Sequence, residues 1–478
     1  AAALDRASRV PTPDALRVAR VLERSPAALI VAPPREDSTA PNTAAHTPRV
    51  TAVPLERLFP PTDLSAGAVR ADVKRNAESL LASALGVVSS DAPPIVVFVH
   101  AALEDMLAPN APIVKLAERL ALRGIDTLEW RVESGASNPS TASPSTPSQS
   151  SESDPGAAPA GTLPGDAALR TALASLDPSG ARPVVYAIVP SPSQAPGGIE
   201  RAHALSRALR SVLASDAPVL VSLLPSSLPS IGQGDPVAAS LASYGVKADT
   251  ARPILGDVAT TQGRVVASDH EVAPADTDQP IARALRGLPL MLPWPVPLDP
   301  PAGWDALLTL ERQGEGRALW GESEWIAYAS IPNDQKSLVP DPPRPDAARD
   351  DVRDAFIVAA AGRRRDAQTD AISASNAAGG RTIVVSSGWW MLDRVALAEQ
   401  RIENRTSLVW PGNAELFEAC VDWLAGHDAL IAQGVQARAV ARIEPIDPQT
   451  LSRLRWGVLA GLPLLTLVLG GLWRLIRG

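Results

Sequence analysis

Four short runs most narrowly limit what this chain can fold into. PIVVFVH at Pro94–His100, PVVYAIVP at Pro183–Pro190, PVLVSLLP at Pro218–Pro225 and RTIVVSS at Arg381–Ser387 are continuous apolar or β-branched stretches of strand length. A strand with one wet face alternates apolar and polar residues. An unbroken apolar run needs cover on both faces, the condition of a parallel sheet between helices. AALIVA (Ala27–Ala32), TLEWRVE (Thr127–Glu133) and DAFIVAAA (Asp354–Ala361) extend the set. Helical stretches lie between them at Ala111–Arg123, Gly198–Ser215 and Pro236–Tyr244, the first with Ile113, Leu116, Ala117 and Leu120 on one face. The alternation predicts an α/β fold with a mainly parallel sheet.

At 478 residues the chain is long enough for two or three folding units. Its boundaries read as an N-terminal α/β region at 1–90, a main α/β domain at 91–340, and a C-terminal α/β part at 341–445 completing or adjoining it. The Ser/Pro-rich stretch 134–165 cannot bury enough apolar surface to offset the entropy of ordering, and is predicted to be a disordered insert. PLMLPWPVPLDPPAGW (Pro289–Trp304) is too rich in proline for a helix or a central strand. VPDPPRPDAARDD near Val339 is a second irregular connection. The first residues are Ala-Ala-Ala-Leu without Met, as expected of a fragment or a processed product. With 11 Trp against 4 Phe and 3 Tyr, apolar packing rests largely on Ala, Val and Leu. A net charge of −8 argues against nucleic acid as a partner.

Residues 451–476 read as a transmembrane helix with a short basic tail. Arg455 and Arg474 bracket a stretch of about 18 uncharged residues, close to the minimum for a helical span. Trp456 and Trp473 stand at its ends, where indoles settle at headgroup level, and Arg474 can snorkel outward. Pro463 is expected to kink the helix. Arg438, Arg442, Arg453 and Arg455 outnumber Arg474 and Arg477, a bias that by itself places the large domain in the cytoplasm.

Motifs for chemistry are sparse. No lysine sits in a glycine-rich phosphate loop, so the chain is not itself a P-loop ATPase, and no cofactor is expected. The five histidines have no metal-ligand spacing, and the single cysteine excludes an internal disulfide or a cysteine-based zinc site. Gly-x-Ser-x-Gly does not occur. Ser191 and Ser193 follow a strand, where a nucleophile would stand, but Pro190, Pro192 and Pro196 occupy positions where an elbow wants glycine. His100 ends its strand and faces the carboxyl edge of the sheet, so it is the first candidate for a ligand contact or a base. Cys420 falls on the apolar stripe Leu416, Phe417, Cys420, Val421, Leu424 and reads as an inert small hydrophobe. Asn413 reads as the N-cap of that helix, Glu415 as a first-turn acid and Gly426 as its C-terminal cap.

The strand RTIVVSS, a loop, PGNAELFEACVDWLAG (Pro411–Gly426), a hydrophilic stretch ending RIEPIDPQTLSRLR and an apolar span follow one another. This order resembles the GldG-like auxiliary components of gliding-motility-type ABC transporters. Upstream, ESLLASALGVVSSDAPPIVVFVHA, PIVKLAERLALRGIDTLEW, the strand–helix–strand from VVYAIVP to PVLVSLLP, and SLASYGVKAD resemble the family's elements in order. The resemblance implies a flavodoxin-like or class I glutamine-amidotransferase-like α/β sandwich without that group's nucleophilic cysteine. It further implies a non-enzymatic, substrate-binding role outside the bacterial inner membrane, with an ABC permease, a separate ATPase and membrane lipid as partners. The chain departs from the family at two turns: no glycine flanks His100, and no acid follows Gly388 in Ser387-Gly388-Trp389-Trp390. These departures count against ligand binding at the two turns; the ligand-binding candidates the chain offers are His100, Ser191 and Gly388. The rival readings are a membrane-tethered hydrolase using His100 with Ser191, and a structural envelope protein.

Overall fold

The four apolar runs become neighbouring strands in the middle of one sheet. The computed structural model describes residues 27–32, 49–54, 92–133, 163–260, 263–312, 317–332, 341–364, 380–402 and 405–431, with a few isolated positions such as Lys336. Residues Ala1–Ala437 form one compact unit and Arg438–Gly478 a second. The second unit, with Trp456, Pro463, Trp473 and Arg474, lies outside the described residues, as do 134–162 and most of 1–90. No helix among the described residues is long and apolar enough to cross a membrane.

In chain order the strands are β1 (Ala27–Ala32), β2 (Arg49–Pro54), β3 (Ile95–His100), β4 (Asp126–Arg131), β5 (Val184–Val189), β6 (Val219–Ser222), β7 (Lys247–Ala248), β8 (Ile254–Thr260) and β9 (Gly263–Ala267). Then come β10 (Asp269–Pro274), β11 (Leu290–Pro293), β12 (Leu298–Asp299), β13 (Asp305–Glu311), β14 (Leu319–Gly321), β15 (Asp351–Val352), β16 (Ala355–Arg363) and β17 (Arg381–Val385). The helices used below are α1 (Val114–Leu122), α2 (Ala167–Leu176), α3 (Gly198–Ala214), α4 (Pro236–Ala242), α5 (Pro280–Ala284), α6 (Trp325–Ala329), α7 (Asp393–Ala396) and α8 (Pro411–Leu424).

The main sheet runs β11-β10-β13-β16-β17-β6-β5-β3-β4. Its parallel block is β17-β6-β5-β3-β4. From β17 outward the sheet continues antiparallel through β16, β13, β10 and β11. The parts read as 91–340 and 341–445 thus share one sheet, and β17 lies directly beside β6. The proline-rich stretch supplies β11 at the sheet's edge, where a missing N–H breaks no ladder. A second sheet of four strands runs β15-β14-β8-β9.

Both faces of β3, β5, β6 and β17 are covered, which is why these strands are largely apolar, whereas the edge strand β4 is only partly buried and carries Asp126, Glu129 and Arg131. Ile95, Val97 and Val99 pack with Leu169 and Leu173 of α2, Leu205, Leu209 and Val212 of α3, and Val237 and Leu241 of α4. On the opposite face Phe98 stacks on Phe417 of α8, with ring centroids 5.8 Å apart, and Trp390 tilts against the same ring. Ile113, Leu116, Ala117 and Leu120 are all buried, so α1 uses its predicted face. Its N-terminus is capped from a distance, since the Asp393 carboxylate accepts from Lys115 N and Leu116 N at 2.9 and 3.0 Å.

Helix α8 corrects one local expectation. It begins at Pro411, a residue suited to the first helical position, so Asn413 lies inside the first turn and is not the cap. Glu415 accordingly falls beyond that turn. Gly426, at φ +81°, closes the helix as expected: His427 N donates to Asp422 O and Gly426 N to Trp423 O, a Schellman ending. Cys420 is wholly buried, and burial pushes its thiol up, away from the reactive thiolate.

Candidate functional site

Because β3, β5, β6 and β17 are parallel, the loops that leave them gather at one edge of the sheet. This edge brings His100, Ser191 and Gly388 into one region, as the sequence suggests, but gives each a different task. His100 is wholly buried and has both ring nitrogens engaged. Nδ1 accepts from Ala102 N at 3.1 Å, so the proton sits on Nε2, which donates to Glu129 Oε1 at 2.5 Å. Glu129 also accepts from Met106 N and Leu107 N. Burial holds the imidazole below its ordinary value, although the Glu129 carboxylate pulls the other way. The pair fastens the loop after β3, and its geometry leaves no lone pair to act as a base toward Ser191.

Ser191 lines a recess of about 20 Å³ between the β5 and β6 loops, room for about one water. Asp235, on the same recess, is occupied in capping α4 through Val237 N and Ala238 N. Gly388 contributes by having no side chain. A Cβ there would stand 2.5 Å from Leu224 Cγ and 2.7 Å from Pro190 Cγ. Its absence lets the loop after β17 close onto the loops after β5 and β6, and this fixes the next residue, Trp389.

The larger concavity lies beside these loops, with a volume of about 320 Å³. Pro192 and Gln194 come from the β5 loop, Leu224 and Pro225 from the β6 loop, and Trp389 from the β17 loop. The opposite wall is Trp294, just past β11, with Trp325, Ile326 and Ala329 of α6 and the following Ser330. The volume suits a small organic molecule, and the position at the carboxyl edge of a parallel block is where open α/β sheets hold ligands.

A second apolar cluster stiffens this wall. Trp294, Trp320, Trp325 and Tyr328 pack with Leu255 and Val266, and Trp389 leans on them. The buried polar ends are met: Trp320 Nε1 donates to Glu322 Oε2 at 3.0 Å and Tyr328 OH to Val266 O at 2.6 Å. Trp294 holds φ at +48°, a left-handed conformation that costs a bulky residue energy and persists where the surroundings fix it. Its backbone N–H donates to Ser268 O at 2.7 Å, and its ring carries Lys336 Nζ 4.5 Å from the centroid. Burial lowers the Lys336 ammonium and raises the Asp269 carboxyl, while their mutual attraction opposes both shifts. Arg394 stands over the Trp389 ring at 5.9 Å.

The tryptophans of this wall were not singled out by motif. Their signal is compositional: tryptophan outnumbers the other aromatics, and two of the wall residues sit in stretches of unusual sequence, the proline-rich Pro289–Trp304 and the tandem Trp389-Trp390. Among the described residues no group of three or more His, Cys, Asp or Glu side chains could hold a metal ion.

Fold and site together define an α/β protein with an aromatic cavity at the carboxyl edge of a parallel block. No protein-family model matches the chain, and no curated protein matches it. Among solved structures it is similar to the mmIFT52 N-terminal domain, at 12% sequence identity and a TM-score of 0.34, over 69% of this chain and 96% of that one. A TM-score at that level does not establish a shared fold.

Proposed function

We propose that the chain is a non-enzymatic, membrane-anchored accessory subunit that binds substrate for a bacterial ABC-type transport system. The observation that carries the binding part is the cavity of about 320 Å³ walled by Trp294, Trp325 and Trp389. The commitment of both His100 nitrogens favours binding over the rival hydrolase, since the proposed base has no free lone pair. The finer fold is a flavodoxin-like or amidotransferase-like sandwich. In chain order the parallel strands β3, β4, β5, β6 and β17 lie side by side as second, first, third, fourth, fifth, the flavodoxin-like arrangement.

The transport assignment rests on the GldG-like element order and on the apolar run from Trp456 to Trp473. In this reading the run meets a polytopic permease in the inner membrane, a separate ATPase completes the system, and the large domain lies on the periplasmic side. That orientation follows the family resemblance against the local arginine count. The test is gentle solubilisation of the full chain from its native membrane, followed by affinity capture and identification of partners. An ABC permease and its ATPase are expected to co-purify. Recovery of neither, with the chain itself intact in the membrane fraction, would remove the assignment.

A further inference from the structure

We propose that the tryptophan-walled cavity selects a neutral, ring-bodied apolar ligand and rejects a cation of the same shape; this rests on reading that cavity as the ligand site. Tryptophan walls ordinarily suggest the opposite, because indole faces attract ammonium groups. Here the electrostatics are already spent. Lys336 Nζ lies 4.5 Å from the Trp294 centroid and 5.0 Å from that of Tyr328, and the Arg394 guanidinium lies 5.9 Å from that of Trp389. Neither cation is among the residues that wall the cavity. A ligand cation would meet two indoles of the three, Trp294 and Trp389, that already face a positive charge.

No acid lines the cavity to attract a cation. None of the residues that wall the cavity carries a formal charge. Two carboxylates stand close to the tryptophan cluster, and both are engaged: Glu322 accepts from Trp320 Nε1 at 3.0 Å, and Asp269 feels both Lys336 and Arg394. Asp269 follows Ser268, whose hydroxyl is 3.3 Å from Lys336 Nζ. An anionic ligand fares no better, since the wall offers only neutral polar groups (Gln194, Ser330 and the indole N–H groups) and no cation to pair with it, and an unpaired charge is costly in an apolar site. What remains is a neutral molecule. Flat or cyclic bodies stack on indoles, and a volume of about 320 Å³ accommodates a small fused-ring system with one polar group for Gln194 or Ser330.

The experiment is equilibrium dialysis of the full chain in lipid nanodiscs, with empty nanodiscs subtracting partition into lipid. The probes are 2-tert-butylnaphthalene, which is neutral, and N,N,N-trimethyl-2-naphthylammonium, its cationic isostere. The neutral probe is expected to bind and the cation to bind weaker by about tenfold or more, a gap of about 1.4 kcal/mol. Ala329→Trp, which fills the cavity from a half-buried position, should abolish binding of the neutral probe, and Ile326→Trp serves the same purpose from an exposed one. Lys336→Met should restore part of the cation's affinity. Equal or tighter binding of the cation by the native chain overturns the ligand class while leaving the site in place. Binding of neither probe, or binding unmoved by both filling variants, overturns the site itself.

Discussion

Asn413 ties three segments together with one amide. Its Oδ1 accepts from Met291 N at 2.8 Å, and its Nδ2 donates to Met291 O at 2.7 Å and to Trp390 O at 2.9 Å. The amide pairs with both the N–H and the C=O of one residue as a neighbouring strand would, so the side chain docks the edge strand β11 onto α8. The same bonds hold the chain between Met291 and Trp294 on one side and Trp389 and Trp390 on the other, close to the cavity wall. Asn413→Ala would remove the partner of three backbone groups, Trp390 O in a buried bond and Met291 N and O in part-buried ones, and a loss of roughly 2–4 kcal/mol in urea denaturation is expected. Asn413→Asp keeps the acceptor and loses both donors, so it should rescue little. A loss within that of an ordinary helix cap, about 1 kcal/mol, would contradict the docking role. His100 teaches the same point from another side. A histidine at the end of a parallel strand has the position of a catalytic residue, but Glu129 and Ala102 N consume its hydrogen-bonding capacity.

Between elements, α1 and α8 meet through a buried ionic network. Arg119 pairs with Glu418 and lies 3.7 Å from Glu415, and Arg123 reaches Glu418 at 3.3 Å and Asp422 at 2.7 Å. Three acids therefore share two guanidinium groups. Burial pushes Glu415 up to about 7, with the Glu418 charge adding to it and the arginines opposing. Burial acts on Glu418 in the same sense, but Arg119 and Arg123 outweigh it and hold that carboxyl below its ordinary range. A carboxyl raised in the folded state favours folding below its unfolded value of 4.5, and that contribution is lost as pH rises through about 7. Glu415→Gln, uncharged at every pH, should therefore gain stability relative to the native chain between pH 5 and pH 8, by on the order of 1–2 kcal/mol. Glu418→Gln should lose stability at both pH values because it leaves Arg119 and Arg123 underpaired. Denaturant titrations of both variants at the two pH values decide the matter; a Glu415→Gln difference that does not change with pH would exclude the raised carboxyl.

For the whole molecule, Ala1–Ala437 and Arg438–Gly478 are separate units. If the apolar run in the second unit anchors the chain, the full protein should stay with the membrane pellet through alkaline carbonate extraction. A chain ending at Ala437 should be released and melt at the same temperature, because the sheet and both covering layers lie before that point. Release of the full chain by carbonate would overturn the anchor.

How far the sequence reached depends on how local the cause was. The parallel strands were legible because burial on both faces writes an unbroken apolar run. The face of α1, the stripe of α8 and the Gly426 ending were legible because helical period and cap chemistry are local. The antiparallel extension was legible only at β16, read as DAFIVAAA, and not beyond it. Strands such as Asp269–Pro274 and Asp305–Glu311 alternate in burial and carry acids, so their composition alone resembles loop as much as strand. The cap lies at Trp410, three residues before Asn413, because Pro411 begins the helix and a partner 122 residues away holds the Asn413 side chain. By itself the sequence determined an α/β chain with a covered parallel block and placed His100, Ser191 and Gly388 at its carboxyl edge. Only the tertiary structure decided what that edge can do: it used the hydrogen bonds of His100, reduced the space at Ser191 to that of a water, and assembled Trp294, Trp325 and Trp389 from three distant segments into one wall. A cavity is made by surfaces that meet across the fold, and no local pattern records that meeting.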